Sequence, residues 1–194
     1  MKKWMMLLCF FVPFLSIAQI TNKQASTFHY SAIVEVGVSE GAAVKPALNL
    51  QMTNGVRYGK WFAGAGFGLD YYAIKRSVPA FLSVRRSFAI GKKEIMLYAD
   101  GGKNISWLRE TDKKFGSTNN FKETNGWYYA VGASYVFKTG KNTAIVLSGG
   151  YSLKQHKESY NLIIWDPIPR PNNTPSNVYN YTYRRIQLKL GFRF

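Results

Sequence analysis

In the C-terminal stretch of this chain every second side chain is apolar. Ile186, Leu188, Leu190, Phe192 and Phe194 alternate with Arg185, Gln187, Lys189, Gly191 and Arg193. Successive side chains of a strand point to opposite faces, so one side of the segment meets an apolar phase and the other a polar one. The same period of two recurs in segments beginning at Phe28, Leu48, Trp61, Ala80, Ile95, Trp127 and Ile145. In the first, Phe28, Tyr30, Ala32, Val34, Val36 and Val38 oppose His29, Ser31, Ile33, Glu35 and Gly37. Eight such segments predict an all-β fold. After the N-terminal segment no stretch approaches the 18 uninterrupted apolar residues that a spanning helix needs.

Eight antiparallel strands with two unlike faces suit a soluble barrel, apolar inside, or a transmembrane barrel, apolar outside. Three features favour the second. The later linkers alternate short and long: Gly91-Lys92-Lys93, then Arg109 to Thr124, then Thr139-Gly140-Lys141, then Lys157 to Asn177. Outer-membrane barrels have short periplasmic turns and longer external loops. Aromatic residues also collect near both strand ends, with Tyr30, Tyr58, Trp61, Phe88, Phe137, Phe192 and Phe194 at one end and Tyr71, Trp107, Trp127 and Tyr151 at the other. Amphipathic rings settle at the two membrane interfaces. Finally, Phe194 closes an alternating last strand, which resembles the signal read by the outer-membrane barrel assembly machinery. The expected fold is an eight-stranded antiparallel up-and-down transmembrane β-barrel with a polar, plugged lumen and a lipid-facing apolar exterior.

The N-terminus reads as an export signal. Lys2 and Lys3 precede the apolar run Trp4 to Leu15, and Ser16-Ile17-Ala18 supplies small residues at the −3 and −1 positions of a cleavage site. The expected organisation is a cleaved signal peptide at 1–18, a short periplasmic segment at 19–27 and the barrel at 28–194. Cys9, the one cysteine, falls within the signal, so the exported chain is expected to have neither disulfide nor thiolate metal site.

Four strings carry a family resemblance. Asn54-Gly55-Val56-Arg57-Tyr58 followed by Trp61-Phe62-Ala63-Gly64-Ala65-Gly66-Phe67-Gly68-Leu69-Asp70-Tyr71-Tyr72 resembles the second and third strands of the outer-membrane β-barrel family common in Bacteroidota. Val78-Pro79-Ala80-Phe81-Leu82-Ser83-Val84-Arg85 and Leu97-Tyr98-Ala99-Asp100-Gly101-Gly102 resemble its fourth and fifth. The resemblance implies a porin-like, eight-stranded, OmpA/OmpX-like barrel of the outer membrane. It departs at Lys103, where an apolar or aromatic residue is more usual.

An eight-stranded barrel is just wide enough for side chains to fill. The inward phase places Glu35, Arg57, Asp70, Arg85, Asp100, Arg185 and Lys189 in a lumen charge network, with Arg85 and Asp100 expected to pair. Buried charges must be paired or solvated. The network is read as a plug that fixes register, and alternatively as a narrow pore for ions or small solutes. The inward glycines Gly64, Gly66, Gly68 and Gly132 are expected to make room for Phe62, Tyr72 and Tyr128.

Enzymes exist on this scaffold, notably lipid A-modifying ones, which keeps that as a more remote reading. His156 lies near Ser152, Ser159 and Glu158, but His156-Lys157-Glu158-Ser159 lacks the His-x-Ser pattern of the deacylases. The expectation is a solvated histidine at a loop base, no catalytic residue, no metal and no cofactor.

Twenty-six Lys and Arg against ten Asp and Glu give a net charge of +16. Strand geometry distributes that charge among turns, lumen and outer rim, which argues against a nucleic-acid face. The rim residues Lys75, Arg76, Arg109 and Arg184 are expected to contact lipopolysaccharide phosphates by charge-assisted hydrogen bonds. The fourth outer linker is apolar at Leu162, Ile163, Ile164 and Trp165 and is a candidate surface for an extracellular partner. A small integral outer-membrane barrel with a structural or surface-interaction role follows.

Overall fold

The structure is a computed structural model that describes residues 28–41, 44–72, 76–91, 93–107, 118–140, 142–162 and 176–194. The proposed signal peptide and periplasmic segment, 1–27, lie outside the described residues. Eight strands follow in order: β1 (Phe28–Gly41), β2 (Val44–Tyr58), β3 (Trp61–Tyr71), β4 (Arg76–Ile90), β5 (Lys93–Trp107), β6 (Thr118–Lys138), β7 (Ala144–Leu162) and β8 (Ser176–Arg193). Each pairs antiparallel with its sequence neighbours, and β1 pairs with β8 to close the barrel. Phe194 completes the seam through backbone hydrogen bonds with Ala32 in both directions.

The register sets the barrel's shape. A path along paired residues runs from Val38 to Leu188, Gly149, Ala133, Leu97, Arg86, Trp61, Tyr58 and Phe28. It returns to β1 at a point ten residues from its start. Ten residues of strand measure roughly 33 Å and eight strand spacings roughly 38 Å, so the strands tilt by about 40°, within the range that closes a small barrel. Tight turns link β2 to β3 and β4 to β5, and in each a glycine takes positive φ: Gly59 at 57° and Gly91 at 60°.

The wall is inverted relative to a soluble barrel. Leu82 and Ile186 are 70% exposed on the outer face, whereas Arg85 and Lys189 are 1% exposed within. Leaving so many apolar side chains in water would forfeit about 1.5–3 kcal/mol for each large one, so the exterior suits an apolar solvent.

Two strand boundaries differ from the sequence expectation. β6 begins at Thr118 and β7 ends at Leu162, so paired strand occupies much of what the sequence suggests are loops. β5 also continues past Lys103 to Trp107 without a register shift against β4. Lys103 points outward and its Nζ lies 3.4 Å from the centroid of the Trp127 ring, so the strand accommodates the cation by a contact with its neighbour.

Candidate functional site

The lumen is filled by layers of inward side chains from β1 to β8. At the end carrying the tight turns, Glu94 receives Arg193 Nη1 at 2.8 Å and Arg57 Nη2 at 3.3 Å, and Lys138 approaches at 3.7 Å. Ser87 Oγ donates to the same carboxylate at 2.9 Å. Above it Ile33, Met96, Val136, Ala144 and Val146 form an apolar layer. The plug is therefore not polar throughout, because the inward phase carries aliphatic side chains on β1, β5, β6 and β7 at this level.

Glu35 is the hub of the next layer. It takes Arg85 Nη2 at 3.3 Å, Lys189 Nζ at 3.7 Å and Ser148 Oγ at 2.5 Å. Both ion-paired cations and Glu35 itself are 1% exposed. Lys189 Nζ also donates to Gln51 Oε1 at 2.7 Å, and Gln51 Nε2 donates to the Tyr128 hydroxyl at 3.0 Å. Aromatic rings fill the space between: Phe81, Tyr98 and Tyr128 cluster with the methyl of Ala130. The Tyr98 ring lies 5.5 Å from the Arg85 guanidinium and 4.9 Å from Lys189 Nζ.

The expected Arg85–Asp100 pair does not form. Register places Asp100 opposite Ser83 and Arg85 opposite Tyr98, and Arg85 reaches Glu35 across the lumen instead. Asp100 is buried and makes no ion pair among the described residues. Gly64 makes room for Phe62 as expected, whereas Gly66 and Gly132 face other rings than those expected. A Cβ on Gly64 would lie 2.9 Å from the Phe62 ring, one on Gly66 2.6 Å from Phe81, and one on Gly132 2.6 Å from the Tyr98 hydroxyl.

Near the other end Lys154 Nζ meets Asp70 Oδ2 at 2.5 Å, and Ser77 Oγ donates to the same oxygen at 3.1 Å. His156 is 2% exposed, contrary to the expected solvated loop base, because β7 runs past it as paired strand. Its Nε2 lies 2.9 Å from Asn104 Nδ2 and its Nδ1 2.5 Å from Ser106 Oγ. Asn104 Nδ2 also faces the Gln155 carbonyl at 3.5 Å, an atom that only accepts, which orients the amide. With Nδ2 donating to Nε2, the ring proton sits on Nδ1 and is donated to Ser106. That tautomer is the reverse of what activates a serine nucleophile, whose hydroxyl must donate to the base. Ser152 points into the lumen, fully buried.

Arg185 tops the lumen. Nη1 donates to the Ser39 carbonyl at 3.1 Å, and the guanidinium lies 4.6 Å from the Tyr72 ring. All seven predicted lumen charges thus face inward, although Arg57 is only half-buried at the rim. Of the predicted lipopolysaccharide contacts, Arg76 lies 5.1 Å from the Tyr71 ring and Arg184 is exposed on the outer face of β8. Lys75 and Arg109 lie outside the described residues, as do Ile163, Ile164 and Trp165, and Leu162 is the last residue of β7.

No protein-family model matches the chain, and no curated protein matches it. Solved structures do. The outer membrane protein AlkL, determined in DMPC lipid bilayers, is 12% identical, with 91% of this chain and 94% of AlkL covered at a TM-score of 0.51. The outer membrane protein OprG from Pseudomonas aeruginosa is 13% identical over 84% of this chain and 94% of its own, at a TM-score of 0.48. The fold is that of an outer-membrane β-barrel.

The charge network expected from the sequence left out Glu94, Arg193 and Lys154, although Arg193 and Lys154 stand on the polar phase of their strands, and it did not bring Asn104 and Ser106 to His156. All lie on the inward phase. Extending the fifth segment two residues backward from Met96 brings Glu94 onto the inward phase, and continuing the seventh past Lys154 brings His156.

Proposed function

We propose that this chain is a small integral outer-membrane β-barrel with a closed lumen and a structural or surface-interaction role, without catalysis. It would be exported through a signal peptide at 1–18 and would belong with the porin-like Bacteroidota barrels that its glycine-rich strands resemble. One observation carries the membrane reading. On the outer face, cation–aromatic contacts flank an apolar band: Arg86 lies 5.0 Å from both Trp61 and Phe88 at one edge, and Arg76 lies over Tyr71 at the other. Trp61 and Tyr71 are ten residues apart on β3. At a tilt of about 40° that separation spans about 25 Å along the barrel axis, the height of the apolar band of outer-membrane barrels. Amphipathic rings and long cations belong at those two interfaces.

The stacked layers from Glu94 to Arg185 support a plug over a pore. Planar bilayer recording of the purified protein tests this. No discrete current steps are expected, and stable conductance would replace the plug with the narrow-pore reading. Heat-modifiable migration on unboiled gels and flotation with lipid vesicles test the membrane reading itself; a protein that stays soluble and shows no shift would defeat it.

The outer rim extends the proposal to lipid. Arg76, Arg184 and Lys103 face outward near the edge carrying Tyr71 and Trp127. As part of the proposal, Arg76 and Arg184, with Lys103 added beside them, meet the phosphates of lipopolysaccharide by charge-assisted hydrogen bonds. Assembly through the C-terminal strand and an extracellular partner at the linker after β7 complete the reading.

A further inference from the structure

The edge of the barrel at the tight turns carries cations that have no counterion. Three of them are exposed: Arg86 on the outer face of β4, Lys60 in the turn before β3, and Lys93 at the start of β5. None of the three makes an ion pair or a side-chain hydrogen bond among the described residues. Among those residues the one acidic side chain at this end is Glu94, which faces inward and is occupied by Arg193, Arg57 and Lys138.

Arg86 is nevertheless held in place. Trp61 is its register partner on β3, Phe88 is its same-face neighbour on β4, and each ring centroid lies 5.0 Å from the guanidinium carbon. Aromatic faces attract the charge but leave the guanidinium N–H groups without an acceptor oxygen. Lys60 is fixed beside it, because its backbone carbonyl accepts from the Ser87 amide at 2.8 Å. Past this pair the wall is shallow. Ala63 and Ala65 follow Trp61 on the outer face of β3, the first set in register between Val56 and Val84 and the second between Asn54 and Leu82. Val56, Val84 and Leu82 are all exposed. Small side chains flanked by larger ones form a furrow that runs from the cations into the apolar band.

We propose that Arg86 and Lys60, with Lys93 beside them, bind the phosphate of an anionic glycerophospholipid in the leaflet opposite the lipopolysaccharide rim. An acyl chain of that lipid lies along the furrow at Ala63 and Ala65. The planar guanidinium fork matches two phosphate oxygens at once, and its stacking on Trp61 and Phe88 orders it before the lipid arrives. Lys60 adds a second charge on the neighbouring strand. Long basic side chains reach from an apolar wall to the headgroup level, which is where this edge of the band places them. Three cations with no carboxylate among them favour a headgroup of net negative charge. A zwitterionic headgroup brings an ammonium that finds no acidic side chain here. A free phosphate would leave the furrow unused. The inference rests on the membrane reading and adds to it a ligand specific to one leaflet.

Native mass spectrometry of the full chain in tetraethylene glycol monooctyl ether tests the site with dioleoylphosphatidylglycerol and dioleoylphosphatidylcholine. The anionic lipid is expected to be retained about five-fold better than the zwitterionic one. Arg86→Gln together with Lys60→Gln should abolish that preference. Arg86→Lys, which keeps the charge but loses the fork, should keep part of it. Lys157→Gln removes an exposed charge beyond the opposite edge and should change nothing. Glycerol 3-phosphate, which offers the phosphate without chains, should not displace the lipid. Heat-modifiable migration checks that each variant is folded, and vesicle flotation tests the membrane reading separately. A chain that floats and shifts on gels but retains both lipids equally would overturn the site and leave the barrel standing. So would a preference lost as fully with Lys157→Gln as with the Arg86 and Lys60 changes. Displacement by glycerol 3-phosphate would overturn the lipid assignment in favour of a soluble phosphate ester.

Discussion

Lys154 and Asp70 stand 84 positions apart in the chain and meet inside the barrel, their side chains each 1% exposed. Removing one partner leaves the other charge buried and uncompensated, at a cost of about 3–5 kcal/mol. Lys154→Met is therefore expected to destabilise the barrel by that amount, read from urea unfolding in lipid vesicles by tryptophan fluorescence. The double change Asp70→Leu with Lys154→Met removes both charges and should recover most of the loss. If the double variant is as unstable as the single one, packing and not charge holds that layer.

Glu35 differs from Asp70 in serving two cations at once. Glu35→Gln keeps the shape and the Ser148 contact but leaves Arg85 and Lys189 without their carboxylate. A loss of about 3–5 kcal/mol is expected from the same unfolding measurement. Adding Lys189→Met should restore part of it, since one uncompensated cation is then gone. Additive losses in the two variants would show that Glu35 and Lys189 are not energetically coupled.

The fold was legible because a wall with two unlike solvents imposes a strict alternation, and eight segments carried it. The inward phase also identified the lumen charges, from Glu35 to Lys189. Their pairing was not legible. Arg85 and Asp100 are on adjacent strands and come out nearly level when residues are counted from the intervening turn, but which side chains meet depends on register and shear. Those set Asp100 opposite Ser83 and send Arg85 across the lumen to Glu35. The upper parts of β6 to β8 were hidden for a different reason. Beyond the apolar band the outward Gln155, Lys157, Arg184 and Thr182 are as polar as the inward Lys154, His156 and Glu158, so hydropathy no longer alternates and a paired strand reads as a loop. Tyr179, Tyr181, Tyr183 and the buried His156 lie in that stretch.

The rim cations predict a lipid phenotype. Replacing Arg76, Lys103 and Arg184 together with Gln removes the outward charge at the edge of the band without touching the lumen. Lipopolysaccharide co-purifying with the protein, measured by mass spectrometry, is expected to fall several-fold. Stability should change by less than about 1 kcal/mol, as for exposed charges generally. Retention that is unchanged would remove the phosphate contacts from the functional reading, while leaving the barrel intact.

His156 gives the sharpest contrast between chemistry and packing. Its ring is held by Asn104 and Ser106 on opposite nitrogens, in the tautomer that makes Ser106 an acceptor. His156→Ala should therefore leave the lipid A acyl pattern of expressing cells identical to that of the parent by mass spectrometry, and so should Ser106→Ala. Both variants should nonetheless lose stability, because Asn104 and its neighbours lose partners in a buried layer, at about 1–3 kcal/mol for each unsatisfied group. His156→Gln, which can still bond on one side, should lose less than His156→Ala. An acyl pattern that changes with the parent protein and reverts with both Ala variants would instead make this pair a nucleophile and base, and would require Asn104 to present its carbonyl oxygen to the ring.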